Sequence, residues 1–172
     1  MAFDTTLQRK IMGRFATGVT VVTTRRDGHL CGLTVNAFAS LSLDPPLVLI
    51  AIDRRSHTYG CLKQNGCFAV NILTDDQEAI SRRFAASTPK EFSDLPLTTA
   101  VTGAPIFSDA LAYVDCRVSQ VLSGGDHDIF IGEIVAGDVR PGQPLLFYGG
   151  QYARLQELTS TKGSDECPKT TT

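Results

Sequence analysis

Gly32-Leu33-Thr34-Val35-Asn36-Ala37-Phe38-Ala39-Ser40-Leu41-Ser42-Leu43-Asp44-Pro45-Pro46-Leu47 is the stretch on which the rest of the chain is organised. Leu30, Gly32, Thr34 and Asn36 alternate with Cys31, Leu33, Val35 and Ala37, the period-two pattern of a strand. From Thr34 to Ser42 small side chains and hydroxyls crowd together, so the backbone can lie against a flat ligand and offer its own N–H and C=O groups. Asp44-Pro45-Pro46 then stops the segment, because proline lacks a donor and restricts the residue before it. The expectation is a polar corner between two apolar strands.

Upstream, Gly18 to Thr24 is rich in Val and Thr and ends at Arg25-Arg26-Asp27-Gly28, a hairpin signal that feeds straight into the corner segment. Before it, Leu7, Ile11 and Phe15 recur at steps of four and predict an amphipathic helix over 5–15. Downstream, Leu47 to Ile52 is a continuous apolar run, which predicts a strand buried on both faces. Ser56 is positioned to cap a short helix ending at Asn65-Gly66, and Cys67 to Leu73 reads as a further strand. Thr74-Asp75-Asp76-Gln77 fits a capping box and starts a helix with Ile80, Arg83 and Phe84 on one face. Residues 87–105 are polar and proline-punctuated, as in a binding loop, with Phe92 expected as a packing anchor. Asp109 to Leu122 alternates as a long strand, Ser123 to Asp128 turns the chain, Ile129 to Val139 returns, and Pro144 to Tyr148 is a last short strand. Many short strands with few helices predict a mainly β fold with added helices, a closed or nearly closed antiparallel barrel. The chain reads as one domain over 1–158, with a Thr-rich polar tail from 159 to 172 expected to be disordered.

Composition narrows the function. The 172 residues are 42% hydrophobic and 20% charged, with net charge −2, and the pI is about 5.9. Without a basic field, nucleic acid and anionic membranes are not expected partners. No apolar stretch has the length of a signal peptide core or a membrane span, so a cytoplasmic protein is expected. Five cysteines give an odd count with no Cys-x-x-Cys pair, and no histidine is read at ligand spacing from a cysteine. Neither a disulfide nor a metal site is therefore expected.

Two places could carry chemistry. Asp53-Arg54-Arg55-Ser56-His57 puts two arginines and a hydroxyl at a helix N-terminus, an arrangement suited to a phosphate and equally to a solvated, capped turn. His127 stands between two aspartates in a glycine-rich hairpin, where Gly124 and Gly125 let a second molecule approach closely. There is no Gly-x-Ser-x-Gly elbow, no P-loop and no Gly-x-Gly-x-x-Gly fingerprint, so reactivity would come from a bound organic cofactor.

Three motifs, in order and in register from about Phe15 to Leu155, resemble the flavin reductase-like family, the small partners of two-component flavin monooxygenases. They are the Gly32 to Leu47 segment, Gly125-Asp126-His127 with the strand after it, and Pro144-Leu145-Leu146-Phe147-Tyr148-Gly149-Gly150-Gln151-Tyr152. The resemblance implies a homodimeric FMN-binding split β-barrel with flavin near the subunit interface. It implies that Thr34, Val35, Asn36 and Ala37 meet the isoalloxazine ring and that Ser40 and Ser42 lie toward the ribityl chain and phosphate. Ser56, with Asp53, Arg54, Arg55 and His57 around it, would complete the phosphate site. Arg83, Phe84 and Tyr148 would also lie by the flavin, and His127 against the reduced nicotinamide. The implied reaction is hydride transfer from NADH or NADPH to the N(5) atom of FMN or FAD, the reduced flavin leaving for a separate oxygenase. Phe147 stands where the family commonly has tyrosine and Gln151 where it has a basic residue, so NADH and NADPH both stay open. The alternative is a flavin carrier without turnover.

Overall fold

The structure is a computed structural model and describes residues 3–156. The expected tail and Cys167 lie outside that range. The fold is mainly β, with 48% strand and 16% helix. In chain order the elements are α1 (Thr5–Met12), β1 (Thr17–Gly18), β2 (Thr20–Arg26), β3 (His29–Val35), β4 (Phe38–Leu43), β5 (Pro46–Asp53), α2 (His57–Asn65) and β6 (Cys67–Ile72). They continue with α3 (Glu78–Ala85), β7 (Leu97–Thr98), β8 (Ile106–Phe107), β9 (Ala112–Gly124), β10 (His127–Val139), β11 (Leu146–Tyr148) and β12 (Gln151–Ala153).

Seven strands form one antiparallel sheet in the order β3-β2-β6-β9-β10-β5-β4. Its two edges, β3 and β4, are consecutive in the chain and separated only by Asn36 and Ala37. Three Cα–Cα steps span at most about 11 Å, so the sheet must roll until its edges nearly meet. Hydrogen bonding does not close it: β3 pairs with β2 and β4 with β5. Smaller sheets, β1-β11-β12 and β7-β8, sit beside the large one.

The turns follow their residues. Asp27 and Gly28 take φ of 50° and 83°, and Arg26 pairs with His29 across them, a two-residue hairpin of the type Asp-Gly favours. Gly125 has φ 76°, and His127 pairs with Gly124. The glycine-rich turn is therefore tighter than its composition suggests, and His127 is the first residue of β10 rather than a loop residue.

Successive side chains of β2 point to opposite faces, and Val21 and Val22 are both fully buried. Val22 packs with Val48, Ile50, Ile52, Leu62, Phe68 and Phe130 inside the rolled sheet. Val21 packs with Leu73, Phe84, Phe92 and Phe107 under α3. Phe92 is thus the packing anchor expected of it, its ring edge-on to Phe84 at 4.9 Å. Asn71, fully buried, donates to the Val21 carbonyl and Thr23 Oγ1 at 3.0 Å and accepts from Phe107 N at 2.8 Å. One satisfied amide in this way ties β8, which follows the aperiodic stretch, to the sheet, which hydrophobic periodicity could not show.

Several expectations are corrected. The corner is only two residues long, because Ala39 to Ser42, small but extended, form the edge strand β4. β5 is not buried on both faces: Val48, Ile50 and Ile52 are buried, whereas Leu47, Leu49 and Ala51 on the outer face are only half-covered. Helix α1 stops at Met12 and buries no residue, with Leu7, Ile11 and Met12 exposed. The capping box forms by halves. Gln77 Oε1 accepts from Thr74 N at 3.0 Å, but the Thr74 hydroxyl bonds Asp76 and α3 begins only at Glu78. A β-bridge from Thr74 to Pro144 holds Thr74 extended, so the sheet wins over the cap.

Gly132 of β10 illustrates the packing density. A Cβ there would lie 2.5 Å from Phe68 Cζ and 2.9 Å from Cys116 Cβ. Gly132→Ala should therefore lower unfolding stability by about 1–3 kcal/mol through overpacking, as read from urea denaturation.

Candidate functional site

A cleft of about 510 Å³ opens between β3, the N-terminus of α2 and the segment after α3. Its walls are Leu30 to Leu33, Arg55 to Thr58, and Ala85 to Lys90. Local chemistry explains why these elements converge. Ser56 caps α2, its hydroxyl accepting from Thr58 N at 3.2 Å, and Gly66 ends the helix in the left-handed conformation, both as expected. Thr58, the second residue of α2 and buried, donates from Oγ1 to the Gly32 carbonyl at 2.9 Å. On the other side of β3, a Cβ at Gly32 would fall 2.6 Å from the Phe84 ring. Only glycine lets α3 pack this close while its carbonyl receives α2. Thr34 extends the link, its hydroxyl donating to the Ser81 carbonyl at 2.7 Å.

The structure distributes the expected site residues unevenly. Ser56 and His57 line the cleft together with Arg55. Thr34 is half-buried and Val35 buried, while Asn36, Ala37 and Ser40 are exposed and Ser42 half-exposed along the corner and edge strand. Phe84 is fully buried, so it shapes β3 from behind and does not face the cleft. Arg83 is engaged by Asp94 in a two-pronged ion pair at 2.6 and 2.8 Å. Tyr148 stands apart on β11 in the small sheet, within 3.4 Å of the Arg14 guanidinium.

The two arginines before α2 part company. Arg54 reaches away to Asp128, 2.6 Å from its carboxylate, which also accepts from Tyr59 Oη at 2.7 Å. Both bonds hold the Asp128 carboxyl below its ordinary range, Tyr59 contributing most. Arg55 closes on Asp53 at 2.7 Å, and that pairing lowers the Asp53 carboxyl to about 2. Asp53 is also the register partner of His127 across the sheet. The imidazole, 41% exposed, lies 2.7 Å from Asp126, whose carboxyl is lowered chiefly by that hydrogen bond. His127 and the cleft are therefore linked through Asp53 and Arg55.

One feature of the cleft runs against the sequence reading. Cys31 of β3 and Cys61 of α2 are joined by a disulfide, with Cα atoms 6.5 Å apart. His57 stands four residues before Cys61, one helical turn away, and its ring nitrogen and the two sulfurs all lie within 4.8 Å of one another. A search for Cys-x-x-Cys could not find this group, because α2 and β3 meet only in the fold. The i,i+4 spacing of His57 and Cys61 was the available signal.

What the cleft offers is a capped helix N-terminus with one arginine beside it, opposite the Leu30–Leu33 wall of β3. Helix amides and a guanidinium suit a phosphate. The small residues leading to the corner suit a flat ring system.

Comparisons with known proteins agree. The sequence pattern of the flavin reductase like domain matches residues 12–156. The chain is 44% identical over 149 residues, 84% of its length and 78% of the relative's, to a flavin reductase (NADH) of Kitasatospora aureofaciens. It is 37% identical over 156 residues, 90% of its length and 80% of the relative's, to the reductase subunit HsaB of a flavin-dependent monooxygenase of Rhodococcus jostii. The structure of a Streptomyces globisporus NADH:FAD oxidoreductase in complex with NAD and FAD fragments superposes with a TM-score of 0.87 at 34% identity, covering 91% of this chain and 96% of that one.

The Asp53–Arg55 pair gives a pH test. A carboxyl lowered from 3.8 to about 2 contributes stability above its unfolded value and loses it as pH falls through the folded one. The ¹³C titration of the Asp53 carboxyl should have its midpoint near 2, and Arg55→Ala should return it toward 3.8.

Proposed function

The chain belongs to the flavin reductase-like family, and on that premise we propose that it is an NADH-dependent flavin reductase supplying reduced FMN or FAD to a separate monooxygenase component. The observation that carries this reading is the single cleft shared by the capped N-terminus of α2 and the Gly32 segment of β3. The residues fit the ligand: the α2 N-terminus, Ser56 and Arg55 for a phosphate, and the Leu30–Leu33 wall leading to the Thr34–Ala37 corner for a ring. When bound, the flavin supplies the hydride acceptor, its N(5) atom, for the reduced nicotinamide. This chain's task is positional, to hold two flat rings at reacting distance and to offer donors where negative charge develops.

In this reading Thr34, Val35, Asn36 and Ala37 border the ring, with Ser40 and Ser42 toward the ribityl chain. Ser56 and His57 border the phosphate together with Arg55. Asp53 acts by orienting Arg55, and Arg54 by anchoring the β10 end of the site through Asp128. Phe84 and Arg83 support the walls from outside the cleft. His127 meets the nicotinamide from the hairpin. Tyr148 reaches a flavin only in the assembled dimer.

We take the assembly to be a cytoplasmic homodimer of split barrels. The support is the apolar surface left uncovered on one chain: Phe15 and Leu43 are 69% and 91% exposed, and Leu7, Ile11 and Met12 of α1 are exposed as well. Among the described residues no helix is long and apolar enough to cross a membrane.

Three measurements check the reading. NADH should be oxidised only when FMN or FAD is added, as followed at its absorbance maximum; no flavin-dependent oxidation would leave a carrier without turnover. His127→Ala should raise KM for the nicotinamide about tenfold while flavin affinity stays within about twofold, since a lost charge-assisted contact costs roughly 1–3 kcal/mol. Sedimentation should give twice the 18.5 kDa chain mass, and Leu43→Asp should shift the protein toward monomer.

A further inference from the structure

We propose that Cys31 and Cys61 form a peroxide-responsive thiol pair whose closure to the disulfide tightens the phosphate end of the cleft. The inference rests on the flavin reading of that cleft.

The pair joins the two elements that build the site. Cys31 precedes Gly32 on β3 and lines the cleft; Cys61 lies behind it on α2, 1% exposed. The buried bond from Thr58 to the Gly32 carbonyl already holds the same elements in register. Opening the disulfide therefore leaves two thiols facing each other and ready to reclose. A Cα separation of 6.5 Å lies within the range disulfides span. Disulfides in cytoplasmic proteins are mostly transient, catalytic or redox-sensing.

The oxidant belongs to the chemistry of the product. Dihydroflavin and dioxygen give flavin and hydrogen peroxide, so a reductase that releases its product into air makes peroxide nearby. Cys31, itself only 5% exposed, is the thiol of the pair that lines the cleft and so meets small solutes entering it. Its thiolate attacks one peroxide oxygen, the O–O bond breaks, and a sulfenic acid forms as hydroxide leaves and is protonated to water. The Cys61 thiol then attacks the Cys31 sulfur, forming the S–S bond and releasing a second water. The two sulfurs together lose two electrons and the peroxide gains them. His57, with a ring nitrogen within 4.8 Å of both sulfurs, is placed to protonate the leaving hydroxide. Cys116 is the internal contrast: burial pushes its thiol up to about 12, which makes it inert.

Closure covalently fixes the helix that presents Ser56 and Arg55 to the strand beside it. FMN should then be held more tightly and released more slowly, which curbs further peroxide formation.

The test uses the full chain, reduced and freed of reductant, then titrated with hydrogen peroxide. Peptide mapping after differential alkylation should show Cys31 and Cys61 lost together as a disulfide, with Cys116 unlabelled in the native protein in both states. FMN should bind about threefold to tenfold more tightly to the disulfide form, and riboflavin, which lacks the phosphate, equally to both. His57→Gln should slow closure while leaving the disulfide able to form. Thiols that stay alkylatable under peroxide, or equal FMN affinity in the two states, would overturn the proposal. So would stoichiometric zinc on the reduced protein that protects both cysteines until a chelator removes it, since the group would then be a metal site. Failure of both FMN and riboflavin to bind in either state, with the disulfide still closing, would instead overturn the flavin reading.

Discussion

A buried hydrogen bond from Thr58 Oγ1 to the Gly32 carbonyl, 2.9 Å long, joins helix α2 to strand β3, and the geometry of the cleft depends on it. Strand β3 is a sheet edge, and its outward groups need partners if they are to be covered. α2 supplies one through Thr58, and α3 is tied to the same strand by the Thr34 hydroxyl, which donates to the Ser81 carbonyl. Gly32 makes both approaches possible by presenting no side chain to the Phe84 ring behind it. The N-terminus of α2 thereby comes to rest beside β3, and the two wall the same cleft.

The opposite end of the site rests on charge. Asp128 gathers Arg54 and Tyr59, and Asp53 gathers Arg55, while β5 and β10 pair in register between them. These ion pairs are partly exposed and individually contribute little to stability. Their effect is directional: they decide which of two adjacent arginines turns toward the cleft and which turns away. In the proposed reaction this leaves one guanidinium for the phosphate and sets the His127 hairpin, paired in register with Asp53, beside the start of α2.

Much of this was legible along the chain because local rules dictate it. The Ser56 cap and the Gly66 terminus of α2 follow from capping chemistry, and the Asp27-Gly28 hairpin from its positive φ angles. The same rules failed where a distant strand competed. Thr74 gave up its cap to a bridge with Pro144, and the small residues 39–42, read as part of a corner, became an edge strand because β5 was there to pair with them. The apolar spacing of α1 makes it amphipathic, yet among the described residues that face stays exposed.

By itself, the sequence determined the mainly β character, the small-residue corner segment, the capped start of α2 and the family, through three motifs whose order and spacing survive in one dimension. Only the tertiary structure decided that Arg54 and Arg55 face different carboxylates, that Phe84 lies behind the cleft and that Cys31 and Cys61 meet beside His57. Apart from the local Arg55–Asp53 pair, these depend on contacts between residues 30 or more positions apart, as Arg54 with Asp128 and Cys31 with Cys61, or on which side of a rolled sheet a side chain falls. Such contacts arise from packing between elements, and no local periodicity encodes them.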